Sequence, residues 1–388
     1  MDFRLGPASE AVRERIRSFL DEHMTGELEE RIYRTGVLHD ADFSRALAEG
    51  GWLAPGWPVE YGGQGLDPLE MLAVAEELRR ADAPTYGIGT TMMASTVIRQ
   101  VGTEEQKAAI LPRALSGEIV IVLGFTEPGV GSDLAAVTTR AVRDGDEWVI
   151  NGQKMFTTNA HIGDYAFLLA RTNAGGAKHE GLTMFLVPMH QAGVEVQAVY
   201  TLSGERTNIT FLNDVRVPDA WRIGEVDKGW STMTVALATE HQAGFSAAIA
   251  RLLETAEAWA AEATDDEGES RLSDPDVRDA LARTAIDLEV ASLLQRRTFW
   301  MAEKQLPMTT EGPMSKLFSS ESLKARAEEI VEVVGPDGLR SYFEPTAPVN
   351  GLIEHCLRHS VGTTIYAGTS EIHRNMIAQR GLGLPRSR

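Results

Sequence analysis

The apolar residues of this chain change period twice, and that change limits its fold more than any other feature. Residues 9 to 118 recur at helical spacing, the period falls to two from Ile119, and the helical period returns after Lys228-Gly229-Trp230. In the first stretch Ser9 can cap a helix running to about Glu22, and Asp40 a second running to Glu49. Asp67-Pro68 starts a third, Thr85 to Val101 is small and apolar, and Thr103-Glu104-Glu105-Gln106 has the pattern of a capping box.

In the middle stretch Val137 to Arg143 and Trp148 to Ile150 flank Asp144-Gly145-Asp146-Glu147, a hairpin signal. Further short strands are expected at Lys154 to Thr158, Tyr165 to Arg171, Leu182 to Pro188, Val194 to Tyr200, Asn208 to Leu212 and Val215 to Val217. Such spacing points to an antiparallel β-barrel or sandwich. Helices are then expected at about 229 to 264, 274 to 306, 312 to 334, 354 to 366 and 369 to 380. The fold expected is therefore mainly α with a central β domain. Residues 1–120 form an N-terminal helical domain, 121–226 the β domain, and 227–388 a C-terminal domain of four-helix-bundle type.

Charge narrows the function. With 37 basic against 56 acidic side chains the net charge is −19, which argues against nucleic acid as a partner. A single cysteine, Cys356, excludes an internal disulfide framework. No apolar run reaches membrane-spanning length, and the start shows no basic segment followed by an apolar one, so a cytoplasmic location is expected. Arginine outnumbers lysine 30 to 7 beside abundant alanine, which points to a GC-rich bacterial genome.

The run Gly124-Phe125-Thr126-Glu127-Pro128-Gly129-Val130-Gly131-Ser132-Asp133 follows the β-branched segment Ile119 to Leu123. Its small residues free backbone N–H groups to face an anion, with hydroxyls from Thr126 and Ser132 as further donors. Turn chemistry alone favours a plain Gly/Pro connection. Neither a G-x-G-x-x-G run nor a Walker lysine is present, which excludes the usual phosphate motifs.

This order of domains, with Gly124 to Asp133, resembles the acyl-CoA dehydrogenase family from about residue 5 to the C-terminus. Tyr61-Gly62-Gly63-Gln64-Gly65, Asn151 to Asn159, Asp214-Val215-Arg216-Val217-Pro218 and Tyr366-Ala367-Gly368-Thr369-Ser370-Glu371-Ile372 recur at the family's spacing. The resemblance implies FAD held between the β domain and the C-terminal helices, beside an acyl-CoA thioester. Phe125, Thr126, Gly131, Ser132, Phe156 and Thr158 match the family's flavin contacts, and Thr369 and Glu371 match positions beside the flavin. Phe156 can pack against the isoalloxazine ring and the threonines can bond its polar edge. On strand pattern alone, Phe156 and Thr158 read as ordinary strand residues.

The chemistry implied is α,β-dehydrogenation, in which a carboxylate takes the α-proton and flavin N5 the β-hydride. Many members carry the base glutamate immediately before Gly-Thr-Ser; this chain has Ala367 there, and alanine cannot accept a proton. A minority places it on the first helix after the β domain, where Glu240 matches. Met233, Leu237, Glu240, Gly244, Ala247 and Ala248 fall on one helical face, and Glu240 is the ionisable member of that stripe. A carboxylate there is expected to be desolvated and raised in pKa. The alternative is a buried glutamate paired with His241 or with an arginine from elsewhere.

Two departures bear on assembly. The Arg-x-x-Phe-Gly segment by which homotetramers of the family reach a neighbour's FAD is replaced by the acidic stretch Thr264 to Ser270. The Gln-x-x-Gly-Gly-x-Gly run becomes Glu332-Val333-Val334-Gly335-Pro336-Asp337-Gly338, in which proline removes a donor. Such losses resemble actinobacterial dehydrogenases built from two different subunits, often acting on sterol side chains. The resemblance thus leaves a homo-oligomer or a heterotetramer, with electron-transfer flavoprotein as electron acceptor. A non-catalytic partner subunit and a flavin oxidase or monooxygenase on the same fold are the competing functions. Arg99 and Arg206 are candidates for the CoA phosphates.

Overall fold

The computed structural model describes residues 5–240 and 244–385, except for the side chains of 237–240. Six helices come first: α1 (Pro7–His23), α2 (Gly26–Thr35), α3 (Ala41–Glu49), α4 (Pro68–Arg80), α5 (Tyr86–Val101) and α6 (Glu104–Leu115). The strands are β1 (Ile121–Gly124), β2 (Arg140–Asp144), β3 (Glu147–Lys154), β4 (Tyr165–Arg171), β5 (Leu182–Pro188), β6 (Val194–Tyr200), β7 (Arg206–Pro218) and β8 (Arg222–Ile223). Six helices follow: α7 (Gly229–Glu240), α8 (Ser246–Glu262), α9 (Pro275–Glu303), α10 (Glu311–Val334), α11 (Leu352–Thr363) and α12 (Ser370–Met376). Among the described residues no helix is long and apolar enough to cross a membrane. This is the acyl-CoA dehydrogenase-like order of helical, β and helical domains.

The caps expected from sequence form. Asp40 accepts from the Phe43 amide at α3, and Asp67 with Glu70 and Thr103 with Gln106 close capping boxes at α4 and α6.

By contacts the chain divides into two compact units. The first comprises the described residues of Met1–Asp21, Asp67–Asp82 and Glu240–Arg388. Its core is the apolar seam of α8, α9, α10 and α11, centred on Ile249, Leu252, Ala256, Leu323 and Ile330. There α1 is tied to α4 by Arg13 and Arg17, which donate to buried Glu77 at 2.6 and 2.8 Å. Burial pushes the Glu77 carboxyl up, but these two guanidiniums outweigh it and hold the pKa low.

The second unit, Glu22–Leu66 and Ala83–Thr239, holds α2, α3, α5, α6, α7 and the sheet. The strand order is β6-β7-β3-β2-β4-β5-β8, with β1 added beside β4. The pairs are antiparallel except β1–β4 and the single contact of β2 with β4, which are parallel. These need crossovers, and the Gly124 to Asp133 loop is part of one. Trp148 and Phe185 meet edge to face at 5.4 Å inside the sheet's core. At Gly152 the β3–β7 register shifts, and a Cβ there would lie 2.7 Å from the Thr139 Cα, so only glycine lets β3 pass this close.

Two expectations are corrected. The strand expected at Lys154 to Thr158 ends at Lys154, because Phe156 takes a positive φ of 57° and the chain turns. The single helix expected over 229 to 264 is two helices. Gly244 is not helical, the Phe245 amide donates to Ser319 Oγ at 3.1 Å, and the Gly244 carbonyl accepts from Arg79 at 3.3 Å. These partners replace helical hydrogen bonds at Gly244 and Phe245.

Candidate active site

In the β unit the candidate flavin contacts lie on two segments held together by one buried ion pair. The Glu127 and Val130 backbones exchange hydrogen bonds at 2.9 Å, which closes a tight turn with Pro128-Gly129 at its tip. The Glu127 carboxylate points inward and accepts from the Thr138 amide at 2.7 Å, the Thr138 hydroxyl at 2.7 Å and the Thr139 amide at 2.9 Å. Lys154 Nζ donates to Glu127 Oε1 at 2.8 Å and to the Phe125 carbonyl at 3.2 Å. Burial pushes the Glu127 carboxyl up, but the Lys154 charge and these donors hold it at about 2. Burial pulls the Lys154 ammonium down, against the Glu127 charge.

The Met155 amide donates to the Thr126 carbonyl at 2.8 Å, so the segment bearing Phe156 is fastened to the loop bearing Thr126. The Phe156 ring is 55% exposed, although phenylalanine ordinarily gains by burial. Its backbone is fixed nonetheless: the Thr157 amide donates to Asn208 O at 2.9 Å, and Asn208 Nδ2 donates to Thr157 O at 3.0 Å. The Thr158 and Thr207 hydroxyls share a hydrogen bond of 3.1 Å. A Cβ added at Gly129 or Gly131 would meet nothing within 4 Å, and Gly131 and Ser132 are exposed.

Thr126, Gly131, Ser132, Phe156 and Thr158 are therefore brought to one pair of tethered segments. Phe125 differs, since its ring is buried edge to face against Phe167 at 6.1 Å and offers a ligand only its main chain. An open glycine cradle beside a rigidly held, exposed aromatic ring fits a planar flavin with a phosphate tail. Neither Glu127 nor Lys154 is among the flavin contacts expected from sequence, although each lies inside one of the family's motifs. The signal was a charge in the loop after β1 and an opposite one at the end of β3.

In the other unit Thr369 caps α12, its hydroxyl accepting from the Ile372 amide at 3.2 Å. The turn before it is pinned twice: buried Lys316 donates to the Gly368 carbonyl at 2.5 Å, and His373 Nε2 lies 3.0 Å from the Ala367 carbonyl. Ala367 itself has a φ of 54°, a left-handed conformation unfavourable for alanine. Thr369 and Glu371 line a shallow cavity of about 420 Å³ with Glu321, Lys324, Glu328 and Thr364. Glu371 is held below the usual carboxylate range by its own amide and the Thr369 hydroxyl.

Glu240 is the last residue of α7, and its side chain, like the whole of His241, lies outside the described residues. Thr264 to Ser270 is a loop closed by a bridge between those two residues, with Asp265 accepting from the Glu267 and Glu269 amides. Pro336 sits in a short 3-10 turn after α10. The Arg99 guanidinium stacks over Trp57 at 4.3 Å, and Arg206 Nε donates to Asn208 at 3.3 Å.

Comparison with known proteins covers nearly the whole chain. Residues 6–118, 122–215 and 227–382 match the family models for the acyl-CoA dehydrogenase N-terminal, middle and C-terminal domains. The acyl-CoA dehydrogenase FadE26 of Mycobacterium tuberculosis is 35% identical, over 98% of each chain. Among solved structures, the Tcur3481–Tcur3483 steroid acyl-CoA dehydrogenase is 34% identical with a TM-score of 0.92, covering 100% of both chains. The ChsE4–ChsE5 complex from Mycobacterium tuberculosis is also 34% identical, with a TM-score of 0.91 and the same coverage.

Proposed function

Because this chain belongs to the acyl-CoA dehydrogenase family, oxidoreductases acting on CH–CH bonds, we propose that it removes the α- and β-hydrogens of an acyl-CoA thioester with Glu240 as base. The observation that carries the assignment of the base is Ala367. The position where many members keep their glutamate has no proton acceptor, while α7 ends in a glutamate that matches the family's other site.

FAD, when bound, supplies the hydride acceptor of this reaction. Phe156 would pack against its ring system, and Thr126, Ser132 and Thr158 would donate to its polar atoms. Thr369 and Glu371 would meet the remainder of the cofactor. The buried Glu127–Lys154 pair keeps the first of these groups in place before the cofactor arrives, which lowers the ordering cost of binding it. Glu240, as a carboxylate at the end of α7, would take the proton from the α-carbon.

We further infer that FAD is held by two unlike chains. Support comes from the acidic loop Thr264 to Ser270 and from Pro336, which stand where the family's cofactor-reaching segments are expected. The Tcur3481–Tcur3483 steroid acyl-CoA dehydrogenase and the ChsE4–ChsE5 complex, to which this chain is similar, agree with it. A bulky acyl group, such as a sterol side chain, and electron-transfer flavoprotein as electron acceptor complete the reading.

The visible spectrum of the purified chain tests both parts. A colourless chain that turns yellow only with a co-purifying second subunit supports the shared site, and full FAD occupancy in a homo-oligomer overturns it. Anaerobic bleaching by an acyl-CoA thioester supports dehydrogenation. Bleaching that persists in Glu240→Gln excludes Glu240 as base.

A further inference from the structure

Two adjacent residues at the end of β4 tie the loop of the glycine cradle to the start of α7. Arg171, the last residue of β4, reaches back: its guanidinium donates to the Ala135 carbonyl at 2.6 Å, three residues beyond Ser132. Its amide donates to the Thr139 carbonyl at 2.7 Å, and Thr139 in turn donates to Glu127. The next residue, Thr172, reaches forward. Its hydroxyl donates to Asp227 Oδ1 at 2.6 Å, two residues before α7 begins.

Thr172, Thr183 and Asp227 close a ring of hydrogen bonds. The single hydroxyl proton of Thr172 goes to Asp227, which is closer than the Gly181 carbonyl at 3.2 Å. The Thr172 oxygen then accepts from the Thr183 hydroxyl at 2.7 Å, and the Thr183 oxygen accepts from the Asp227 amide at 2.9 Å. Thr183 is fully buried, so opening the ring would leave a buried polar group unanswered. The ring also holds Asp227 at a φ of 63°, a left-handed conformation that carries a cost for any residue with a side chain.

The helix is rooted at this same point. Lys228 pairs with Leu182 in a parallel bridge, and a Cβ at Gly229 would lie 2.7 Å from the Thr183 Cα, so α7 starts pressed against β5. The Thr232 amide donates to the Lys228 carbonyl at 3.2 Å and closes the first turn. As far as Thr239 the helix belongs to the compact unit that carries Thr126, Phe156 and Thr158. From Gly229 to Glu240 it forms a lever of about 17 Å, at about 1.5 Å per residue. A tilt of about 5° at the root of such a lever moves its far end by about 1.5 Å. A misplacement of about 1 Å is enough to slow a reaction about a hundredfold.

We propose that Asp227, with Thr172 as its partner, is a positioning residue of the dehydrogenation: it sets the direction of α7 and so where Glu240 stands with respect to the flavin contacts of the β unit. The proposal rests on the reading of Glu240 as base and deepens it. A base at position 367, in the other unit, would owe nothing to this ring.

The test uses the full chain in the oligomer it purifies as. In the flavin-free protein, spin labels at Thr234→Cys on α7 and Val142→Cys on β2, both exposed positions, report the distance between helix and sheet by electron–electron resonance. Asp227→Gly removes the carboxylate and tolerates the left-handed backbone, so it opens the ring without adding strain. The distance distribution widens in that variant; an unchanged one overturns the proposal.

For the reaction, the FAD-loaded protein is mixed anaerobically with straight-chain and branched acyl-CoA thioesters of increasing length, and the one that bleaches the flavin fastest is carried forward. Asp227→Gly and Thr172→Val each lower the limiting rate of bleaching about tenfold or more, while the half-saturating concentration and FAD affinity stay within about twofold. Asp227→Asn, which keeps the acceptor oxygen and accepts the left-handed conformation, restores most of the rate. In a Glu240→Gln background Asp227→Gly changes the residual rate by less than about twofold, because a residue that acts through Glu240 has nothing left to place. A full limiting rate in Asp227→Gly and Thr172→Val overturns the proposal, as does an equal loss with and without Glu240. A loss that follows weaker FAD binding makes the ring merely structural and overturns it too. If Glu240→Gln bleaches as fast as the unaltered protein, or no thioester bleaches the flavin at all, the reading of the base fails and takes the positioning role with it.

Discussion

Lys154 Nζ lies 2.8 Å from Glu127 Oε1, with the lysine side chain 0% and the glutamate side chain 3% exposed. This buried pair joins the end of β3 to the loop after β1, and through the Phe125 carbonyl, Thr138 and Thr139 it sets the course of everything between. Its worth is not that of a surface ion pair. Removing one partner leaves a desolvated charge, whose cost greatly exceeds the net gain of making the pair.

Lys154→Met should therefore destabilise the chain by about 3–5 kcal/mol, as a buried pair broken on one side does. Glu127→Gln combined with Lys154→Met should cost less than the sum of the two single changes, since the double variant strands no charge. Urea unfolding of the flavin-free protein measures both. Additive losses would show that the two groups do not act as a pair.

The same pair sets an acid limit. Glu127 has a folded pKa of about 2 against an ordinary 4.5, so between those values the unfolded chain binds more protons than the folded one. Its contribution to stability is full above about pH 5 and is lost as pH falls towards 2. Lys154, with its pKa lowered only to about 8, stays charged throughout that window. Glu127→Gln should flatten the fall of melting temperature between pH 5 and pH 3 by about the share one such group contributes. An unchanged slope would place the acid sensitivity elsewhere.

Phe156→Ala should separate binding from folding. The ring is 55% exposed, so its loss should change the melting temperature of the flavin-free protein little, by the equivalent of about 0.5 kcal/mol or less. If the ring packs on the flavin, FAD affinity should fall about tenfold or more, read by the quenching of flavin fluorescence on titration. Equal affinity would remove Phe156 from the cofactor site.

Gly152→Ala should destabilise by about 1–3 kcal/mol, because the new methyl group would sit 2.5 Å from Thr139 Oγ1 and 2.7 Å from its Cα, a backbone atom that cannot swing aside. Thr139 also donates its amide to Glu127, so the acid limit should move with the stability. Thermal melts at neutral and acid pH test both effects.

Much of the molecule is legible in the order of its residues. The capping residues Asp40, Asp67 and Thr103 act through neighbours three residues away, so their roles are written in local order. The turn Asp144-Gly145-Asp146-Glu147 joins β2 to β3 in the register its glycine allows, with Asp144 opposite Glu147. Period and turn chemistry are short-range quantities, which a sequence carries in full.

The break at Gly244 was not legible. Helical spacing runs through it without a fault, while Phe245 and Gly244 find their hydrogen-bond partners in Ser319 and Arg79, residues remote in the chain. Phe156 is a similar case: an aromatic residue after a strand reads as more strand. Its exposed, left-handed conformation follows from Asn208 holding the next residue on both backbone atoms.

The sequence by itself determined the succession of helices and strands, the family's motifs and the alanine at the usual base position, since each rests on residue identity or on neighbours a few positions apart. Only the tertiary structure decided which charges are answered, and by what. Glu127 and Lys154 stand 27 residues apart and neutralise each other out of water, and Arg79 is brought to a backbone carbonyl 165 residues away. Burial and pairing are set by where distant segments meet, and that distance has no signature in local order.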